Sequence, residues 1–191
     1  RSGGFVMTGH TTKAIAAQGT KTDVAVTLER TVAKIAVQAS TTAEFSERYS
    51  GKVRINSAVL SKAASRGNLI AQQTPNTGPM TFTHTQAADE LSGKFRNLFY
   101  VPENGELAEG SRLLLTLGAT YDRDGNFSTT DDQAEVAYPV ELSGDGAGRF
   151  LRNGYYRVQA LIDGLTGSEL SVSISVADWE TPVTQSVNLG Q

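Results

Sequence analysis

An all-β sandwich is the architecture this sequence predicts, and three observations carry the prediction. Period-two apolar patterning recurs along most of the chain, turn signals separate the patterned segments at short intervals, and no segment sustains the 3.6-residue period of a long helix. With 191 residues and 39% hydrophobic content, the chain has enough apolar material for one large domain with a real core.

Residues 5–20 mix Phe5, Val6, Met7 and Ile15 with Gly and Thr, which predicts one short strand in a lead-in segment. In TDVAVTLE, Val24, Val26 and Leu28 fall on one face and Ala25, Thr27 and Glu29 on the other, as in a half-buried strand. VAKIAVQA continues past Arg30 and Thr31 with Ala33, Ile35 and Val37 inward, and KVRINSAVLSK repeats the pattern through Val53, Ile55, Ser57 and Val59. Residues 61–94 cluster Gly, Pro, Asn, Gln and Thr, and predict a long surface excursion with short strands or a helical turn around 86–91.

FRNLFYVPEN then reads as an aromatic strand stopped by Pro102, and SRLLLTLGATYDRDG as a continuous apolar strand ended by an Asp-Gly turn. QAEVAYPVEL, RFLRNGYYRVQALIDG and SELSVSISVADW supply three more. Seven or more mostly antiparallel strands with almost no helix call for a two-sheet β-sandwich. The expected core is Val26, Ile35, Val37, Ile55, Leu115, Leu117, Tyr156, Val158, Leu161, Val172, Ile174 and Trp179.

A net charge of −3 with singly scattered Lys and Arg leaves no basic footprint, which argues against nucleic acid and anionic membrane surfaces as partners. The absence of Cys removes disulfides, thiolate catalysis and Cys-based zinc sites together. No run approaches the roughly 18–20 apolar residues of a membrane-spanning helix.

The segment DRDGNFSTTDDQ gathers Asp122, Asp124, Asp131 and Asp132, but an EF-hand counted from Asp122 would need Gly at position six and Glu at position twelve, where Phe127 and Gln133 stand. A solvated hairpin turning at Gly125, without a metal, is the expectation. His10 and His84 lie in unrelated Thr-rich contexts without a second ligand at metal spacing, and no G-x-S-x-G elbow is present. Gly144, Gly146 and Gly148 precede a strand rather than a helix N-terminus, which argues against a phosphate loop. The sequence therefore predicts a protein that is not an enzyme, with no catalytic residue, cofactor or metal.

After Trp179 the tail ETPVTQSVNLGQ places Val183, Gln185, Val187 and Leu189 on one side and Thr184, Ser186 and Asn188 on the other. Such a one-sided segment either completes the sheet of its own domain or leaves to complete a neighbour's.

Four stretches, LERTVAKIAV (28–37), FYVPEN (99–104), FLRNGYYRVQALIDGL (150–165) and LSVSISVADW (170–179), together resemble the fimbrillin superfamily, the type V pilins and related fimbrial proteins of Bacteroidia. The resemblance implies a transthyretin-like β-sandwich corresponding to the C-terminal domain of such a protein. Residues 1–20 would be a lead-in segment or interdomain linker, 21–179 the sandwich, and 180–191 a C-terminal extension. It also implies a lipoprotein precursor exported to the outer membrane and a cell-surface fimbria polymerised by strand exchange with other fimbrial subunits. The donor strand would be Thr181, Val183, Gln185, Val187 and Leu189, in this isolated chain disordered, projecting or paired with another copy. The alternative function is a fimbria-tip or surface adhesin domain that binds a host glycan or protein.

Overall fold

The structure, a computed structural model, describes residues 4–72, 80–87, 90–91, 94–166, 169–178 and 183–188. Within them the chain forms twelve strands and one helix: β1 (Met7–Thr8), β2 (Asp23–Arg30), β3 (Val32–Thr41), α1 (Ala43–Arg48), β4 (Lys52–Ala64), β5 (Met80–Ala87), β6 (Glu90–Leu91), β7 (Lys94–Pro102), β8 (Leu114–Asp122), β9 (Gln133–Glu141), β10 (Gly154–Ile162), β11 (Leu170–Asp178) and β12 (Val183–Asn188). The all-β expectation holds, since α1 is only six residues long.

Two sheets make the sandwich, one ordered β11-β10-β3-β7-β6 and one ordered β5-β4-β8-β9. All their pairings are antiparallel except that of β10 with β3. The core lies between them because each strand alternates. Ala33, Ile35, Val37 and Ala39 of β3 face Leu115, Leu117 and Ala119 of β8 across the interior, with Ala58 and Leu60 of β4 beside the latter. Tyr156, Val158, Ala160 and Ile162 of β10 add to the first layer. Removing this much apolar surface from water is the main stabilising term, at about 1.5–3 kcal/mol for each large side chain.

Several expectations need correction. Leu161 is not a core residue: the parity that buries Tyr156 and Val158 buries Ala160 and Ile162 and turns Leu161 outward. Val26 keeps its predicted parity but is only half-buried, because β2 belongs to a third sheet outside the core. Val172 and Ile174 are partly buried against the core, whereas Trp179 lies outside the described residues. Of the two alternatives for the excursion, short strands or a helical turn around 86–91, the described residues form the short strands: β5 pairs with β4, and β6 with β7. The excursion is thus shorter than its composition suggested, because β4 runs on to Ala64 through register shifts after Ile55 and Leu60.

The helix α1 was not anticipated. Thr42 caps it, its side chain accepting from the Phe45 N–H at 3.2 Å, with Glu44 in the first turn and Arg48 in the last, as the helix dipole favours. It closes one end of the sandwich with Phe45, whose ring lies 4.9 Å from Tyr49 and 6.3 Å from Tyr121.

Candidate subunit-binding strand and the clasp beside it

The third sheet has the order β1-β2-β12. Its centre, β2, runs through Thr31 directly into β3, so one nearly continuous strand serves two sheets. Pairing of β12 with β2 is antiparallel, with Val183 opposite Leu28, Gln185 opposite Val26 and Val187 opposite Val24. Three of the five predicted donor-strand residues are thus aligned with the apolar side of β2. Thr181 and Leu189 lie outside the described residues.

Within the described residues, 183–188 of the tail form a strand laddered to β2 of the same chain. The reason is pattern matching: β2 and β12 are both one-sided in sequence, and the antiparallel register sets the apolar positions of one opposite those of the other. Among the residues whose burial is described, β1 and β2 contribute none to the buried core cluster. On the other edge of β2, β1 pairs only with Arg30 and Glu29, so among the described residues 23–28 have a ladder partner on the β12 side alone.

Where β2 passes into β3, three of the stretches that carried the resemblance meet. Glu103, just after β7, and Arg152, in the turn before β10, form an ion pair at 2.5 Å with both side chains 5% exposed. The same guanidinium donates to the carbonyls of Asn68 at 2.6 Å and Leu69 at 3.0 Å. Leu69 O also accepts from Thr8 Oγ1 at 2.6 Å, which ties β1 to this point. Asn153 has φ of +58°, a left-handed geometry that Asn tolerates; its N–H donates to Val32 O at 2.9 Å and its Oδ1 accepts from the Arg30 side chain at 3.3 Å. Asn104 completes the clasp, its N–H donating to Phe150 O at 3.1 Å and its Nδ2 to Gly148 O at 2.8 Å. Glu103 and Arg152 lie in two of the motifs that carry the resemblance, but their pairing is not visible in the sequence. The signal available was an acidic and a basic residue inside otherwise apolar motifs.

The glycine-rich loop is structural. Gly146 and Gly148 N–H groups both donate to Ser143 O at 2.8 Å, and a Cβ at Gly144, where φ is +56°, would come within 2.2 Å of Arg149 O.

The acidic loop is not the wholly solvated hairpin that was expected, since Asp122 is fully buried. It accepts from Asn126 N–H at 2.8 Å and Gln133 Nε2 at 2.9 Å. Burial opposes its charge, but hydrogen bonds from Gln133, Asp124, Asn126 and Gly125 outweigh that and hold its carboxyl below the ordinary value. For Asp124 the Asn126 N–H favours the charge, yet Asp122 alongside, partial burial and the charge of Asp132 win and raise it. One carboxylate oxygen from each of Asp122, Asp124 and Asp132 lies within 4.8 Å of the others. Asp131 is not part of that group.

His10 lies with Thr8, Thr27, Glu29 and Ile70 around a shallow cavity of about 180 Å³. His84 sits in β5 opposite Leu60. A larger cavity of about 440 Å³ opens at the α1 end, over Phe45, Ile55 and Ile162 with Lys52, Arg54 and Phe127 at its rim.

The fold as a whole is similar to that of several solved structures. A candidate cell adhesion protein from Parabacteroides distasonis shares it at TM-score 0.56 and 14% identity, over 80% of this chain and 53% of that one. So do a candidate cell adhesion protein from Bacteroides eggerthii (TM-score 0.53, 16% identity, 81% and 57% covered) and a fimbrilin from Porphyromonas gingivalis (TM-score 0.51, 17%, 80% and 59%). The chain thus spans between half and three fifths of the length of these structures. No family model and no curated protein matches the sequence. Among the described residues, no helix is long and apolar enough to cross a membrane.

Proposed function

We propose that this chain is part of a structural subunit of a cell-surface fimbria, reached through a lipoprotein precursor, and that its C-terminal segment is the strand exchanged between subunits. The observation that carries this reading is the place of β12. It is an edge strand whose ladder partner among the described residues is β2, and it belongs to neither sheet of the sandwich, so its withdrawal breaks no ladder of either. A neighbour's equivalent edge can offer the same backbone hydrogen bonds and the same side-chain pattern, which makes exchange nearly balanced in energy. The fold shared with a fimbrilin supports the same class.

The test is a lock. The chain has no Cys, so Val24→Cys with Val187→Cys introduces a single pair. Directly opposed antiparallel residues have Cα atoms about 4.5–5.5 Å apart, within disulfide reach. Oxidised full-length protein should fail to form filaments under the electron microscope, and reduction should restore them. Filaments of undiminished number and length from the oxidised protein would defeat strand exchange through this segment.

A further inference from the structure

The edges of the two main sheets are not equally protected. β6 is only two residues long, β5 is broken by register shifts against β4, and β9 carries Pro139 between Glu135 and Glu141, all devices that keep a sheet edge from joining a foreign strand. β11 has none of them. Its sequence, LSVSISVAD, holds no Pro and no charge before Asp178, and its register with β10 runs unbroken from Leu170 to Asp178. Away from β10, the backbone of Leu170–Asp178 makes no hydrogen bond among the described residues. The side chains alternate as well: Val172 and Ile174 are half-buried against the core, while Ser171, Ser173 and Ser175 are exposed. Val176 shares the parity of Val172 and Ile174 yet is 59% exposed.

From this contrast we infer that β11 is a docking edge for the same strand of a second copy of this chain, the two pairing antiparallel so that two five-stranded sheets become one. A row of unpaired N–H and C=O groups takes an extended strand, and side chains decide which strand it takes. This one fits itself. Antiparallel pairing centred on Ser173 sets Ser171 opposite Ser175, Val172 opposite Ile174, and Val176 opposite Leu170 of the second copy, so that serine meets serine and apolar meets apolar. Centring on Ile174 would set Leu170 opposite Asp178, and centring on Val172 would leave Val176 without an apolar residue opposite, so the pattern selects Ser173. A charged peptide would find no counter-charge between Leu170 and Ala177, whereas a second copy brings no like charges together there. The five-stranded sheet does not include β12, so this pairing is separate from strand exchange and stands or falls apart from it.

The experiment is sedimentation equilibrium of the full chain over a range of concentrations, joined to cross-linking. The expected result is a reversible monomer–dimer equilibrium. Val176→Lys, which sets a cation opposite Leu170 twice in each dimer, should weaken it at least tenfold; Val176 is exposed, so an unchanged melting temperature certifies that the variant folds. The chain has no Cys, and Ser173 is exposed, so Ser173→Cys introduces one thiol without disturbing the core. At the centre of the pairing the two copies of that position have Cα atoms about 4.5–5.5 Å apart, and oxidation should give a covalent dimer. Ser171→Cys should not, because its two copies would lie four positions apart along the strands, roughly 13 Å. Deleting residues 181–191 should leave the equilibrium as it is. A monomer at every concentration, dimerisation untouched by Val176→Lys, or equal cross-linking through the two cysteine variants overturns the inference. So does loss of the dimer on deleting 181–191, which would make the tail the strand that docks.

Discussion

Arg152 and Glu103 meet at 2.5 Å with their side chains 95% removed from solvent, joining the turn before β10 to the end of β7. Arg152 also donates to the carbonyls of Asn68 and Leu69, and the Leu69 carbonyl accepts from the Thr8 hydroxyl as well. An ion pair buried this deeply has a large desolvation cost that only its geometry offsets, so losing one partner is worse than losing both. Glu103→Gln or Arg152→Met alone should each cost about 3–5 kcal/mol in urea unfolding. The double variant Glu103→Leu, Arg152→Met should cost clearly less than the sum. Additive losses near 1 kcal/mol each would show that the pair is solvated and that the clasp is not built on it.

Tyr138 is fully buried in β9, and its hydroxyl donates to Gly164 O at 2.7 Å. Burial, with the charge of Glu169 nearby, pushes its pKa up to about 12. A phenol whose folded pKa lies above its unfolded value of about 10 stabilises the fold fully below pH 10, and that contribution disappears as pH rises through 12. Burial raises Tyr156 as well, so absorbance titration at 295 nm should show its ionisation delayed and that of Tyr138 as a separate late step close to alkaline unfolding. Tyr138→Phe should remove that late step and cost about 1–3 kcal/mol, because the Gly164 carbonyl is left buried without its donor. Six tyrosines titrating together near pH 10 in the folded protein would contradict it.

Asp122 and Asp124 pull stability in opposite directions. The lowered Asp122 contributes stability that is present above its unfolded pKa and is lost as pH falls through its folded value. The raised Asp124 does the reverse: the folded state holds its proton more tightly, so stability declines as pH climbs from the ordinary carboxylate range through the raised value. At pH 7 in EDTA, Asp124→Asn should raise the melting temperature and Asp122→Asn should lower it, with both effects fading in acid. A saturable rise of the parent's melting temperature with calcium, abolished by Asp124→Asn, would show that the three carboxylates hold a cation and that their repulsion is not the resting state.

Alternation made the sandwich legible, because each core strand buries one parity: Ile35 and Val37, Leu115 and Leu117, Tyr156 and Val158 all face inward as the sequence predicts. Where size was allowed to override parity, as in preferring Leu161 to Ala160, the reading failed. Tyr138 and Phe150, among the largest buried side chains, went unnoticed because β9 alternates weakly and the loop before β10 has no period at all. The tail's one-sided pattern was legible, but its partner was not, since β2 and β12 are some 160 residues apart and a strand's pattern does not name the edge it joins. Nor could spacing reveal that Glu103 and Arg152, 49 residues apart, close on each other.

The C-terminal strand gives the most direct test of how the chain divides its stability. Because β12 pairs with β2 and belongs to neither sheet of the sandwich, deleting residues 181–191 removes six ladder positions and breaks no pairing within the two main sheets. Net backbone hydrogen bonds contribute only about 0.5–1.5 kcal/mol each, and ordering the strand costs roughly 1–2 kcal/mol per residue, so the two nearly cancel. The truncated protein should therefore unfold cooperatively within a few degrees of the parent. Amide exchange should quicken in β2 at residues 23–28, which lose their ladder partner, while β3 and β10 stay protected. Val187→Asp should act more selectively, placing a charge at the register position opposite half-buried Val24 and loosening β12. Global unfolding of the truncated chain would make β12 an ordinary structural strand, and exchange rates in β2 that match the parent's would mean that the two strands are not partners in solution.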